Sequence, residues 1–189
     1  MSITGKISGA ILRLAGWRVE GKKPKEKKYV ILAAPHTSNW DFPLARLTNS
    51  QLKIKLKLLM KESWFFFPVN YILKYLGVVP IDRSKPGGLI DYVVDLFHTN
   101  EEFVFTIAPE GTRSYVEYWK TGFYTIAVKA NVPILLAYVD YGKKIAGVGP
   151  LIYPSGDSTK DFEKIMEFYR TVEPRFPEKF NKNPQLGRK

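Results

Sequence analysis

The chain has 189 residues, 45% of them hydrophobic, enough for one domain with a proper core. It contains no cysteine, which excludes disulfides, thiolate metal sites and a cysteine acyl-enzyme and leaves the redox compartment unreadable. Lys and Arg total 29 against 18 Asp and Glu, and the net charge of +11 favours an anionic partner: lipid headgroups, a phosphorylated substrate, an acidic carrier protein or nucleic acid.

From Ser2 to Trp17, Ile3, Ile7, Ile11 and Leu14 recur at helical spacing while Lys6 and Arg13 lie elsewhere, which predicts an amphipathic helix. Lys22, Lys23, Lys25, Lys27 and Lys28 follow, opposed only by Glu26. Two arrangements fit. The helix lies in the headgroup layer of an anionic membrane, each basic residue near the surface adding about 1 kcal/mol, or it packs on its own domain beside a solvated charged loop. The charged interruptions and the lack of a small-residue cleavage site argue against a cleaved signal. The longest uncharged stretch, Ser63 to Leu73, is far shorter than the roughly 20 apolar residues of a membrane span. The expectation is therefore a peripheral protein on the cytoplasmic side.

Tyr29 to Ala34 reads as a buried strand, and after Pro35 comes His36-Thr37-Ser38-Asn39-Trp40-Asp41. A histidine and a carboxylate five positions apart at a strand end let a short turn fold Asp41 onto one imidazole nitrogen, leaving the other free to take a proton from a hydroxyl. A purely structural hydrogen bond is the competing reading of the pair. Ser38 lies within the motif, but no Gly-x-Ser-x-Gly pattern marks it as a nucleophile.

The remaining elements alternate: helix Phe42 to Ser50, strand Ile54 to Met60, helix Trp64 to Leu76, strand Val78 to Ile81 and helix Leu89 to Thr99. They continue with strand Phe103 to Ile107, helix Lys120 to Ala130, strands Ile134 to Val139 and Lys144 to Val148, and a last helix Ser158 to Val172. Phe162, Ile165, Met166 and Tyr169 form the core stripe of that helix. Alternation at this spacing predicts an α/β sheet domain. Trp64-Phe65-Phe66-Phe67 reads as core, as the lining of an acyl groove or as a segment that dips into lipid. His98, late in its helix beside Phe97 with no second ligand at helical spacing, reads as structural. The tail from Glu173, with three prolines, is expected to pack loosely. His36, Arg83 and Glu110 all follow strand ends, where side chains can converge on one face.

Four blocks carry a resemblance: His36 to Asp41; Gly77-Val78-Val79-Pro80-Ile81-Asp82-Arg83; Ala108-Pro109-Glu110-Gly111-Thr112-Arg113-Ser114; and Val132-Pro133-Ile134-Leu135-Leu136. In this order over about a hundred residues they resemble the glycerolipid acyltransferases, whose best-known member acylates 1-acylglycerol-3-phosphate. The resemblance implies a single domain with a central mixed β-sheet flanked by helices, divided as an interfacial helix (1–20), an acyltransferase domain (21–172) and a tail (173–189). It implies direct acyl transfer, with His36 as general base oriented by Asp41, and with Arg83, Glu110, Gly111, Thr112 and Arg113 holding the acceptor headgroup. Lys61 carries over from the family's Lys-x-Glu-Leu, which here reads Lys61-Glu62-Ser63-Trp64.

The partners so implied are membrane lipids, a lyso-lipid acceptor and an acyl-CoA or acyl carrier protein donor, with no metal, no further cofactor and no nucleic acid. Pro35 and Ala108 depart from the family's usual Asn and Phe. With Trp119-Lys120-Thr121-Gly122 they look more like a compact bacterial branch, in which the acceptor is a lyso-phospholipid or a lyso-aminolipid. A rival from another class is a non-catalytic basic module that binds membrane or nucleic acid, though no nucleic-acid-binding signature is present.

Overall fold

The computed structural model describes residues 3–75, 77–81 and 88–187. In chain order the elements are α1 (Ile3–Leu14), β1 (Arg18–Glu20), β2 (Lys28–Ala33), α2 (Asp41–Leu52), β3 (Leu58–Lys61), α3 (Val69–Tyr75), β4 (Val78–Ile81), α4 (Gly88–Thr99) and β5 (Phe103–Ile107). There follow β6 (Tyr118–Trp119), α5 (Gly122–Ala130), β7 (Ile134–Asp140), β8 (Ile145–Ile152), α6 (Ser158–Tyr169) and β9 (Gln185–Leu186).

The main sheet runs β1-β8-β7-β2-β5 and is mixed, as expected: β2 pairs parallel with β5 and β7, β1 pairs parallel with β8, and only β7 and β8 are antiparallel. A bridge from Lys57 to Phe105 joins the parallel pair β3-β4 to the edge at β5. After Lys28, strand β2 reads apolar because it is buried on both faces. Val30 and Leu32 meet α4, α5 and α6 in the larger core, whereas Tyr29 and Ile31 face the opposite side with Ile54, Leu56 and Val104.

Three expectations change. The run Trp64 to Leu76 is broken into a 3-10 turn, Glu62–Trp64, and the short α3, since the residue before Pro68 is driven out of helical geometry. Phe66 and Phe67 are exposed, which overturns the core reading for those two rings. The tail is packed, not loose: Pro174 and Phe180 are buried, Phe180 lies 6.5 Å from Trp119, and β9 pairs with β6. Fifteen residues with few apolar groups thus find a place because Trp119 offers them a surface.

Helix α1 resolves its two readings onto different faces. Gly5, Ser8, Gly9 and Leu12 are buried, and α1 packs along α2, a close approach that small side chains permit. The stripe of Ile7, Ile11 and Leu14 points away from the protein, with Leu14 90% exposed.

Candidate active site

Parallel strands end at the same edge of a sheet. The registers Leu32 to Ile107 and Ala33 to Ala137 therefore bring the segments after β2, β5 and β7 together. His36 Nδ1 lies 3.1 Å from Asp41 Oδ2, and the same oxygen accepts the backbone N–H groups of Thr37 at 3.0 Å and Ser38 at 2.9 Å. Asp41 is buried and opens α2, where the helix N-terminus favours a negative charge. Its other oxygen, Oδ1, accepts from the Tyr141 hydroxyl at 2.8 Å. With Nδ1–H donating to this carboxylate, the tautomer assigned by the network leaves His36 Nε2 as an acceptor.

Glu110 approaches from the turn after β5. Its Oε1 accepts the His36 backbone N–H at 2.9 Å, while Oε2 is buried without a partner among the described residues. Only 6% exposed, the carboxyl is pushed up to about 7, first by burial and partly by the Asp41 charge, against the lowering effect of the His36 N–H. Glu110 is thus turned inward as a brace of the histidine segment.

The turn that follows faces solvent. Gly111 adopts φ +67°, the left-handed region that glycine enters freely, and the Lys120 side chain lies across it where a Cβ would stand. Thr112 and Arg113 are exposed beside it. Lys61 closes β3 in register with Ile81, and only its backbone is described. Arg83 lies outside the described residues. His98 is exposed in the last turn of α4.

An apolar cavity of about 220 Å³ opens at His36 and Asp41 and runs between the sheet and α2. Ile31, Ala33, Ala137 and Val139 line it from the strands, with Phe42 and Ala45 from α2. Small side chains at facing positions leave the space. Farther along α2 the wall includes Arg46 and Asn49, which also border a groove lined by Lys23, Lys25, Lys27, Lys53, Lys55 and Lys57.

Tyr141 escaped the sequence reading because it sits in the β7–β8 turn, outside every motif. The parallel alignment of β7 with β2 was the signal that places it. Burial and the adjacent Asp41 carboxylate push its hydroxyl upward, so it stays a donor. Tyr141→Phe removes one charge-assisted hydrogen bond of about 1.5 kcal/mol, and the expected result is a roughly tenfold lower kcat with KM unchanged in steady-state kinetics. An unchanged kcat would show that the two backbone amides alone hold Asp41.

A histidine and an aspartate joined at a strand end thus open onto an apolar cavity. A model of the acyltransferase family matches residues 16–139, and the chain belongs to that family. The crystal structure of the 1-acyl-sn-glycerophosphate (LPA) acyltransferase PlsC from Thermotoga maritima has the same fold, with a TM-score of 0.61 at 22% identity over 88% of this chain and 75% of that one. No curated protein matches the chain.

Proposed function

We propose that this acyltransferase works at a membrane surface, moving a fatty acyl group from acyl-CoA or acyl carrier protein to the hydroxyl of a lyso-phospholipid such as 1-acylglycerol-3-phosphate. The observation that carries the reading is the 3.1 Å His36–Asp41 contact at the mouth of the apolar cavity. His36 Nε2 takes the acceptor's hydroxyl proton as the oxygen attacks the thioester carbonyl carbon, and Asp41 stabilises the imidazolium. The carbon–sulfur bond then breaks, and the thiolate recovers the proton from His36. No covalent acyl-enzyme forms.

Several features support the substrates. PlsC, which shares the fold, is described as acting on an acylglycerophosphate. The cavity suits a hydrocarbon chain, and the exposed Thr112–Arg113 turn offers donors to a headgroup oxygen. The groove with six lysines suits a donor rich in phosphate or acidic side chains. The outward stripe of α1 suits an interfacial helix, and among the described residues no helix is long and apolar enough to cross a membrane.

The test is acyl transfer by the purified protein on mixed vesicles, with palmitoyl-CoA or palmitoyl carrier protein as donor and 1-acylglycerol-3-phosphate or a lyso-aminolipid as acceptor. The expected product is phosphatidic acid. Product from the lyso-aminolipid alone would replace the acceptor, since the Arg113 fork also fits a carboxylate. Inactivity of every pair in a folded, vesicle-binding protein would favour a binding module.

A further inference from the structure

The segment after α6 crosses the catalytic end of the sheet. It is tied down on both sides of Arg175: the Glu173 carbonyl accepts the Tyr141 N–H at 2.8 Å, and the Phe176 N–H donates to Thr37 Oγ1 at 3.4 Å. Between these anchors the Arg175 guanidinium stands 5.9 Å from the Trp40 ring centre, 6.0 Å from that of Tyr141 and 5.6 Å from that of Phe176. Lys179 adds a second cation 4.3 Å from the Phe176 ring.

Three rings hold a cation in place, yet they supply no acceptor for its N–H groups. None of the six ion pairs among the described residues includes Arg175 or Lys179. Among the described residues no acceptor hydrogen-bonds the exposed Arg175 fork, which leaves it open to an anion with paired oxygens. The surroundings indicate which kind. Trp40 is 59% exposed, Phe42 beside it is exposed, and Trp17, in the short connection between α1 and β1, packs edge-on against Tyr141 at 5.1 Å. The cage therefore lies beside the mouth of the cavity, next to the segment that follows α1.

From this geometry we infer that Arg175, caged by Trp40, Tyr141 and Phe176, is an anion site at the rim of the His36–Asp41 centre that takes the phosphate of a lipid headgroup. The inference deepens the proposed function and rests on it only for the identity of the lipid.

Binding is read without turnover, by titrating the protein with dihexanoyl phosphatidic acid and, as a phosphate-free control, dihexanoylglycerol. Arg175→Gln is expected to weaken the phosphatidic acid about tenfold and leave the control unchanged, with Arg175→Lys falling between. Phe176→Leu, which keeps the charge but opens the cage, is expected to weaken it severalfold. Two further arms separate the sources of phosphate. If the acceptor's own phosphate occupies the site, Arg175→Gln raises KM for 1-acylglycerol-3-phosphate about tenfold in neutral detergent micelles, leaving kcat intact. If a neighbouring bilayer lipid occupies it, KM in micelles is unchanged and affinity for phosphatidylglycerol vesicles falls severalfold. Equal affinity of wild type and Arg175→Gln for dihexanoyl phosphatidic acid overturns the inference, and so does an equal loss for dihexanoylglycerol. Should wild type acylate no acceptor while the titration behaves as described, the proposed reaction fails and the anion site stands.

Discussion

Replacing His36 with alanine is expected to lower acyl transfer by up to about 10⁴-fold, the upper end of what a positioned general base contributes. The imidazole is partly exposed, so its loss leaves the core intact. Vesicle binding should persist, and a binding assay beside the thioester assay separates lost chemistry from lost fold.

The geometry around Asp41 makes the companion variant more informative. Oδ2 accepts two backbone N–H groups, which have no alternative role, as well as the imidazole. In Asp41→Asn the amide oxygen must therefore stay on that side, with the NH2 turned to the Tyr141 oxygen, which can accept. The imidazole tautomer survives, and only the charge opposite the imidazolium is lost. The expected decrease is about 10²-fold, milder than for His36→Ala, with unchanged KM. Equal losses in the two variants would mean that the asparagine flips the tautomer, and that the two amides do not dictate the orientation.

The second large effect concerns Glu110 and pH. Its folded-state value of about 7 lies above the ordinary carboxyl value of 4.5, because burial disfavours the anion. Between those values the native protein holds more protons than the unfolded chain, so this group's contribution to stability declines as pH rises through that window. The full change is on the order of 3 kcal/mol. Glu110→Gln cannot ionise and is expected to keep its stability across the window, so that the variant gains on wild type from pH 4.5 to 7 in urea unfolding. Parallel curves would show that the native carboxyl titrates like the unfolded one.

Much of the site was legible because its parts are local or end adjacent strands. His36 and Asp41 are joined by one tight turn, so five residues of sequence carry the whole contact. Glu110 was placed at the site by its motif, but its inward direction was not legible: the motif implied a contact to the headgroup, not a buried bond to the His36 N–H. The Phe66-Phe67 pair misled for the converse reason, since apolar side chains next to a proline break can remain outside. The stripe of α1 was read correctly as one face. That the small residues opposite it face the protein depended on α2, a neighbour no local pattern names.

Sequence alone determined the class of chemistry through the four motif blocks, and most of the order of strands and helices and the His36–Asp41 pair because apolar period and short turns act over a few residues; the short strands β1, β6 and β9 were not read. Tertiary structure decided which segments meet. The parallel registers of β2, β5 and β7 bring Glu110 and Tyr141 to the His36–Asp41 turn from 74 and 100 residues away. The packing of the tail on Trp119 carries Arg175 to the same edge. Such contacts follow from strand pairing and shared burial, which depend on distant residues finding one another and leave no periodic trace in either segment.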